Sequence, residues 1–478
     1  MVPATVLTMV DGVRVVVPDS LDLITPYVLR EQHDWFEDEI KFLRHLLQPG
    51  QKVIDVGANY GVYTLSMAQA VGPTGHVWAF EPASSTACLL AEGIAANGFS
   101  HITLERSALS NTGGSAQLSL NDHSELNALL HDEQSTGTSE TVTLVTLDDR
   151  MESYGWTNIE FVKIDAEGEE ANILKGGRRF FAELSPLVLY EVKAGDRVHM
   201  ELVRDFAALG YKSYRLVPGL DLLVPFNTIA PPDAFLLNLF CCKPDRAAAL
   251  ASCGLLAEAA AIGPDTWMAW LKHLSNQNRS HDAYGWRHTL VKLPYGATLA
   301  DLWERTVATR HSDDVEKALL LYAVSRDPSW SRAERFGALE GSFNHFRILC
   351  KNRPSHLRLA SLARVARDYG ARLVAVDALV QLLNSINRNR QADPGEPFLA
   401  PGERFDSVPP GEAIGDWIRA AVLEEIERIG FFSSFYSGAS ARQRLETIRD
   451  LKYGGAEMHR RLTLLQQRFG LPVQEAST

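Results

Sequence analysis

Apolar positions in the first half of the chain fall into short runs separated by stretches of helical spacing. Val53 to Val56, His76 to Phe80, Ile102 to Ser107, Ile159 to Ile164 and Pro186 to Tyr190 are the short runs, and runs of this length bounded by turn residues read as buried strands. Between them, residues up to Ala70, Ser84 to Asn97, Glu167 to Phe181 and the stretch near 196 to 209 repeat apolar side chains every three or four positions, as one face of a helix does. Strands alternating with helices predict an α/β fold with a Rossmann-like, doubly wound parallel sheet. Two later runs, near Tyr211 to Val217 and Phe235 to Cys242, add strands to it. Ahead of the sheet, residues 4 to 17 alternate about the turn dipeptide Asp11-Gly12 and predict a hairpin, and Tyr27 to Leu47 predicts one helix stopped by Pro49-Gly50. Residues 114 to 147 read as β-rich runs around a polar loop from Asn121 to Glu140.

After Lys243-Pro244 the strand signal ends. Asp245 to Ala261, Asp314 to Ser325, Arg332 to Leu349, His356 to Tyr369, Ala371 to Ile386, Ile414 to Ile429, Arg442 to Leu451 and Ala456 to Phe469 all carry helical periodicity. Helices in succession with short Pro or Gly turns predict stacked antiparallel pairs, a solenoid in which Leu359 to Leu383 resembles a tetratricopeptide pair. Residues 391 to 411 hold five prolines and read as a loop between helices. The pattern therefore divides the chain into residues 1–244 and an all-α region, 245–478.

Charge sharpens that division. Of the 478 residues, those up to Pro244 carry 17 Lys and Arg against 32 Asp and Glu, a net of −15, whereas the remainder carries 30 against 27, a net of +3. An acidic first half argues against nucleic acid as its partner, because phosphate binding needs clustered Lys and Arg. Five cysteines without a C-x-x-C pair argue against a disulfide framework or a thiolate zinc site, and Cys241-Cys242 reads as strand core. The N-terminus lacks a basic segment followed by an apolar core, and no window approaches the roughly 18 apolar residues of a membrane span, so a cytoplasmic location is expected.

The candidate chemistry sits where the strands end. Asp55, Glu81 and Asp165 each close a strand, and in a doubly wound sheet ligands bind at the carboxyl ends of the strands. Glu81 follows Gly61 by twenty residues, the distance at which a carboxylate on the second strand accepts hydrogen bonds from ribose hydroxyls. The turn after the first strand is Gly57-x-x-x-Gly61 rather than the G-x-G-x-x-G that cradles a pyrophosphate. With Asp55 beside it, the turn suits an amine or sulfonium, so S-adenosylmethionine (SAM) fits better than a dinucleotide.

VIDVGANYGVYT at 53 to 64, AFEP at 79 to 82 and VKIDAEGEEANILKGG at 162 to 177 resemble the three signatures of the FkbM-type SAM-dependent methyltransferases over roughly residues 30 to 243. The resemblance implies a seven-stranded class I methyltransferase sheet whose last two strands form an antiparallel hairpin. It also implies methyl transfer to a hydroxyl of a sugar, polysaccharide or secondary metabolite. By the same resemblance Asp55, Gly57, Asn59 and Gly61 surround the methionine part of the cofactor, Glu81 the ribose and Ser107 and Ala108 the adenine, and Ala58, Tyr63, Thr64, Pro82 and Asp165 also belong to the cofactor site.

Because SAM is already an activated donor, catalysis needs an aligned acceptor hydroxyl and a group to take its proton. Asp165, Glu167, Glu191 and, in the polar loop, His123 are the candidates. Asp165 and Glu191 end strands expected to be neighbours, an arrangement that also suits a divalent metal ion. Glu169 and Glu170 read as a solvated first helical turn. Trp267, Trp270, Trp286, Trp303 and Trp330 read as helix core before a sugar-stacking groove, and Lys351, Arg353 and Arg358 as a solvated face. The rival reading is a helical interaction protein whose methyltransferase region binds SAM without catalysis, the helical region holding a protein partner.

Overall fold

The computed structural model describes residues 3–470 apart from 122, 125–126, 130–137, 195–196, 261, 264–266, 311–312, 353–354 and 390–391. The apolar runs lie side by side in one sheet: β1 (Lys52–Val56), β2 (His76–Phe80), β3 (Ile102–Glu105), β4 (Phe161–Ile164), β5 (Leu187–Glu191), β6 (Lys212–Val217) and β7 (Asn238–Cys242). Their order is β6-β7-β5-β4-β1-β2-β3, with β7 antiparallel to both its neighbours and the rest parallel. This is the class I methyltransferase order with its closing antiparallel hairpin. A further strand, Leu222–Pro225, has no counterpart in the sequence reading.

Burial on both faces explains the unbroken apolar runs. On one face Ile54, Val56, Val162, Ile164, Val188 and Tyr190 are buried and Phe180, Phe181 and Phe206 from the covering helices pack against them, and on the other face Val53, Phe161, Leu187 and Leu189 are buried too. The order brings the ends of β1, β2, β4 and β5 to one edge, and the register sets Lys163 of β4 directly beside Asp55 of β1. Cys241 and Cys242 are buried in β7.

Four local expectations need correction. The single helix from Tyr27 to Leu47 is two helices, Ile24–Gln32 and Asp38–Leu46. His33 at φ 58 turns the chain between them, and Asp34 accepts both terminal nitrogens of Arg44 at 2.8 and 2.7 Å, which holds the linker in place. The third strand stops at Glu105. Ser107–Leu109 pairs instead with Ser139–Val145, which also binds Gly114–Ser119, in a small separate sheet that includes Ala128–Leu129. Most of the expected polar loop lies outside the described residues. The helical stretch from Glu167 is likewise broken into Glu170–Gly176 and Arg178–Glu183 at Gly177, whose φ −122 and ψ 24 leave the helical region, while Gly176 lets the first helix come close to the Ser110 carbonyl, 2.1 Å from where a Cβ would stand. The helix expected near 196 to 209 begins only at Met200, after the short paired strands Lys193–Ala194 and Arg197–Val198.

The chain forms two compact units. The first holds residues up to Leu216, Pro225–Pro232 and Leu236–Cys253, and the second holds Val217–Val224, Asp233–Phe235 and the chain from Gly254. In the second unit, consecutive helices from Asp313–Arg326 through Arg332–Asn352, His356–Tyr369 and Arg372–Asn389 to Ile414–Ile429 pack each on the next. Trp267–Asn276 and Pro294–Arg310 are helices that the periodicity did not show. Trp270, Trp286, Trp303 and Trp330 are buried core, while the Trp267 side chain lies outside the described ones. Arg358 is not part of a solvated face: it pairs with both oxygens of Glu396 at 2.8 Å, and both side chains are largely buried. Among the described residues no helix is long and apolar enough to cross a membrane.

Candidate active site

An apolar strand that must turn at once into a helix needs backbone conformations most residues avoid, and the turn after β1 has three of them. Gly57, Asn59 and Gly61 stand at φ 75, 48 and 89. A Cβ on Gly57 would lie 1.7 Å from the carbonyl oxygen of Asp165, so the turn presses against the end of β4. On its other side the N–H groups of Gly57 and Ala58 both donate to the Phe80 carbonyl, at 3.1 and 3.0 Å. The turn is thereby fixed between β2 and β4, and it opens the helix Val62–Val71.

A cleft of about 1010 Å³, including its open mouth, lies over this turn. Of the expected cofactor residues it is lined by Gly57, Ala58, Asn59, Tyr63, Glu81, Pro82, Ser107, Ala108 and Asp165, together with Glu167 from the expected catalytic set. Asp55, Gly61 and Thr64 are not in the lining. Asp55 is fully buried: its Oδ2 accepts from the Thr64 hydroxyl at 2.5 Å, and its Oδ1 has no hydrogen-bond partner and lies 3.9 Å from Lys163 Nζ. Burial pushes the Asp55 pKa up, against the pull of Lys163 and Thr64. Asp55 thus acts on the cleft from beneath.

Glu81, at the end of β2, is held in one orientation. Its Oε2 accepts from Asn59 N–H at 2.8 Å and its Oε1 from Ala83 N–H at 2.9 Å, while burial pushes its pKa up to about 7. Asn59 in turn accepts from the Ser124 hydroxyl at 3.0 Å. His123, one residue earlier, is not among the cleft-lining residues. Leu109, Leu118 and Leu129 from the small sheet, which the sequence reading did not single out, add to the apolar part of the wall.

At the other end the charges gather. Lys163 is nearly buried, with Nζ 2.8 Å from Asp165 and 4.9 Å from the centre of the Tyr63 ring. Burial alone would lower its pKa, but Asp165 and Asp55 hold it above the ordinary lysine value. The sequence reading overlooked Lys163, although its place beside Asp55 follows from the strand register. The cleft-lining acids are Glu37, Glu81, Asp165, Glu167 and Glu169, and Lys163 is the one lining cation among the described residues. Such a cleft repels a pyrophosphate and attracts a cation.

Carboxylate oxygens of Asp165, Glu167 and Glu191 lie within 4.8 Å of one another, as adjacency of β4 and β5 allows. Burial, with Asp165 and Glu167 adding to it, pushes Glu191 up to about 10, so this group keeps its proton near neutral pH. Glu191 borders a second cavity of about 700 Å³, lined also by Glu167, Glu170, His199, Glu201 and Asp205. Glu167 is common to both spaces. Glu169 and Glu170 are not a solvated turn but buried loop supports. Glu170 accepts from the N–H groups of Ala166 and Gly168 at 3.1 and 3.3 Å, and Glu169 accepts from the Ser110 hydroxyl at 2.9 Å and from Asn172 at 3.1 Å.

Comparison with known proteins places this site in context. Similar solved structures include the methyltransferase FkbM from Methylobacillus flagellatus, 17% identical, covering 47% of this chain and 56% of that one, with a TM-score of 0.28. A SAM-dependent O-methyltransferase from Thermotoga maritima is 14% identical, with 50% and 78% covered and a TM-score of 0.24. A SAM-dependent methyltransferase from Aquifex aeolicus is 14% identical, with 45% and 92% covered and a TM-score of 0.25. No curated protein sequence matches the chain. The model of the methyltransferase FkbM domain matches residues 55–213, the span from Asp55 at the glycine turn into β6, and this chain therefore carries an FkbM-type methyltransferase domain.

Proposed function

We propose that the first unit is a SAM-dependent O-methyltransferase acting on a hydroxyl of a sugar, polysaccharide or secondary metabolite. The observation that carries the cofactor assignment is the charge of the cleft: five lining carboxyls, with a single lysine already paired to Asp165, around a glycine turn without a pyrophosphate fingerprint. SAM brings a sulfonium and an ammonium against one carboxylate, a net positive charge, together with a neutral ribose diol, and the residues present fit it. Glu81, oriented by two backbone N–H groups, has lone pairs left for ribose hydroxyls. Leu109, Leu118 and Leu129 offer an apolar surface to a base, and Gly57, Ala58, Asn59 and Tyr63 a close-fitting wall for the methionine part.

When bound, SAM supplies an activated methyl group, so the protein's own residues have positioning and proton transfer left to perform. Glu167, which borders both cavities, marks where an acceptor hydroxyl meets the cofactor space. Lys163 holds Asp165 in place, Nζ to carboxylate oxygen 2.8 Å. Asp165 and Glu167 are the groups proposed to take the hydroxyl proton, since Glu191 with its pKa near 10 already holds one and serves as a hydrogen-bond donor to the acceptor. This set supports oxygen as the acceptor atom: two carboxylates stand where a hydroxyl proton can be taken up, and the protonated third can donate a hydrogen bond to the same oxygen. The same three are the residues that would hold a divalent ion, and turnover with and without EDTA decides between an ion and a shared proton.

The helical unit, with its separate core and different charge balance, is proposed to recognise a large acceptor or a protein partner. The test of the whole reading is a calorimetric SAM titration, followed by detection of S-adenosylhomocysteine (SAH) with a panel of hydroxylated glycans. Failure to bind SAM refutes the cofactor assignment. SAM binding without SAH formation, for any acceptor in extracts depleted of methylated glycans, favours the non-catalytic interaction reading.

A further inference from the structure

Glu37 lies outside the matched span 55–213, on the linker between Ile24–Gln32 and Asp38–Leu46, yet it lines the cofactor cleft together with Thr25 and Trp35. The Tyr63 hydroxyl donates a hydrogen bond to its Oε2. Tyr63 is in the first turn of the helix that the glycine turn opens, so the linker carboxyl is fastened to the cofactor-binding helix itself. Other acids of the cleft are committed: Glu81 to two backbone N–H groups, Asp165 to Lys163, Glu169 to Ser110 and Asn172. Glu37 takes side-chain hydrogen bonds from Tyr63 and Trp35 and has no Lys or Arg within ion-pair distance among the described residues. Burial pushes its pKa up and Asp165 adds to the rise, against the Tyr63 hydrogen bond, the more distant Lys163 and the Trp35 hydrogen bond. An acid so placed is stabilised in its charged form by any cation that enters the cleft.

We propose that Glu37, positioned by Tyr63, is the counter-ion of the α-ammonium group on the cofactor's methionine moiety. The inference rests on the SAM reading above. For the methyl group to reach an acceptor, the sulfonium must turn toward Glu167, which borders both cavities. Glu37 does not border the second cavity, which leaves it the ammonium end. The linker geometry set by His33 and the Asp34–Arg44 pair then has a function, since it delivers this carboxyl to the cleft.

The test is calorimetry on the full chain, wild type and Glu37→Gln, with three ligands: SAM, SAH and 5′-methylthioadenosine, which keeps the nucleoside and sulfur but has no ammonium. A lost charge-assisted hydrogen bond should weaken SAM and SAH alike by roughly tenfold or more, and leave methylthioadenosine within about twofold. Tyr63→Phe should show the same pattern to a lesser degree, and carries the test if Glu37→Gln does not fold. A parallel loss for methylthioadenosine would mean that Glu37 only shapes the cleft and would overturn the proposal, as would unchanged SAM and SAH binding or a loss confined to SAM. Wild-type protein that binds none of the three would overturn the SAM reading along with it, whereas wild-type binding with an indifferent variant overturns only the role of Glu37.

Discussion

Replacing Glu81 by Gln tests the centre of the cofactor site, because nearly the same shape remains while the charge and one acceptor oxygen go. Each Glu81 oxygen receives a backbone N–H, from Asn59 at 2.8 Å and from Ala83 at 2.9 Å. In glutamine the NH₂ group must face one of those donors, so the turn at Asn59 or the start of the helix Ser84–Asn97 loses a hydrogen bond. A hydrogen bond to a charged group contributes about 1.5 to 3 kcal/mol, and losing one to the ribose predicts SAM affinity weaker by roughly ten- to 150-fold. The pH dependence gives a second reading. With its pKa near 7 in the folded protein and 4.5 as the ordinary value, Glu81 ionises late, so wild-type SAM affinity should rise between about pH 6 and pH 8. The same raised pKa costs folding stability as pH rises from about 4.5 to 7, since the unfolded chain releases this proton first. Glu81→Gln should remove that part of both slopes. Calorimetry at pH 6, 7 and 8, with thermal melts alongside, measures them. A variant that binds SAM within twofold of wild type and keeps the same pH slope would refute the argument.

Three other substitutions probe the same region. Gly57→Ala puts a side chain at φ 75 and 1.7 Å from the Asp165 oxygen, so it should destabilise by more than about 2 kcal/mol and abolish SAM binding in calorimetry. Lys163→Met leaves Asp55 and Asp165 together without a cation; because Asp165 is partly exposed, the lower end of the cost of breaking a buried pair applies, about 3 kcal/mol, seen as a Tm drop of roughly 6 to 12 °C. Glu191 has a folded pKa raised to about 10, a destabilising condition above the unfolded value of 4.5, so Glu191→Gln should raise Tm at pH 8 and leave it unchanged at pH 4.

The sequence by itself determined the order of the sheet region, the glycine turn and the acids that end β1, β2 and β4, because these depend on local pattern. Buried parallel strands need uninterrupted apolar runs, and the turn needs glycine where φ is positive, so both leave marks on adjacent residues. The adjacency of Asp165 and Glu191 was also legible, since neighbouring strands of a doubly wound sheet follow from chain order. The split of the chain into a β-containing region and a helical one showed in periodicity and charge alike.

Tertiary structure alone decided which side chains reach the cleft. Glu37 and Trp35 sit in a stretch whose periodicity reads as continuous helix; only the left-handed His33 and the Asp34–Arg44 pair, ten residues apart in sequence, turn them toward the site. Lys163 looks like an interruption in a strand until β1 is placed beside β4 and its two acids surround it. Ser107 to Leu109 reads as the end of a strand and is the start of another sheet, because the partner that captures it, Ser139–Val145, lies more than thirty residues away. Glu169 and Glu170 carry charges that by composition belong in solvent, and they are buried because a tight loop offers them N–H and hydroxyl donors that no local rule announces. Local pattern fixes backbone states; the company a charge keeps is a long-range fact, set only when distant strands and linkers meet.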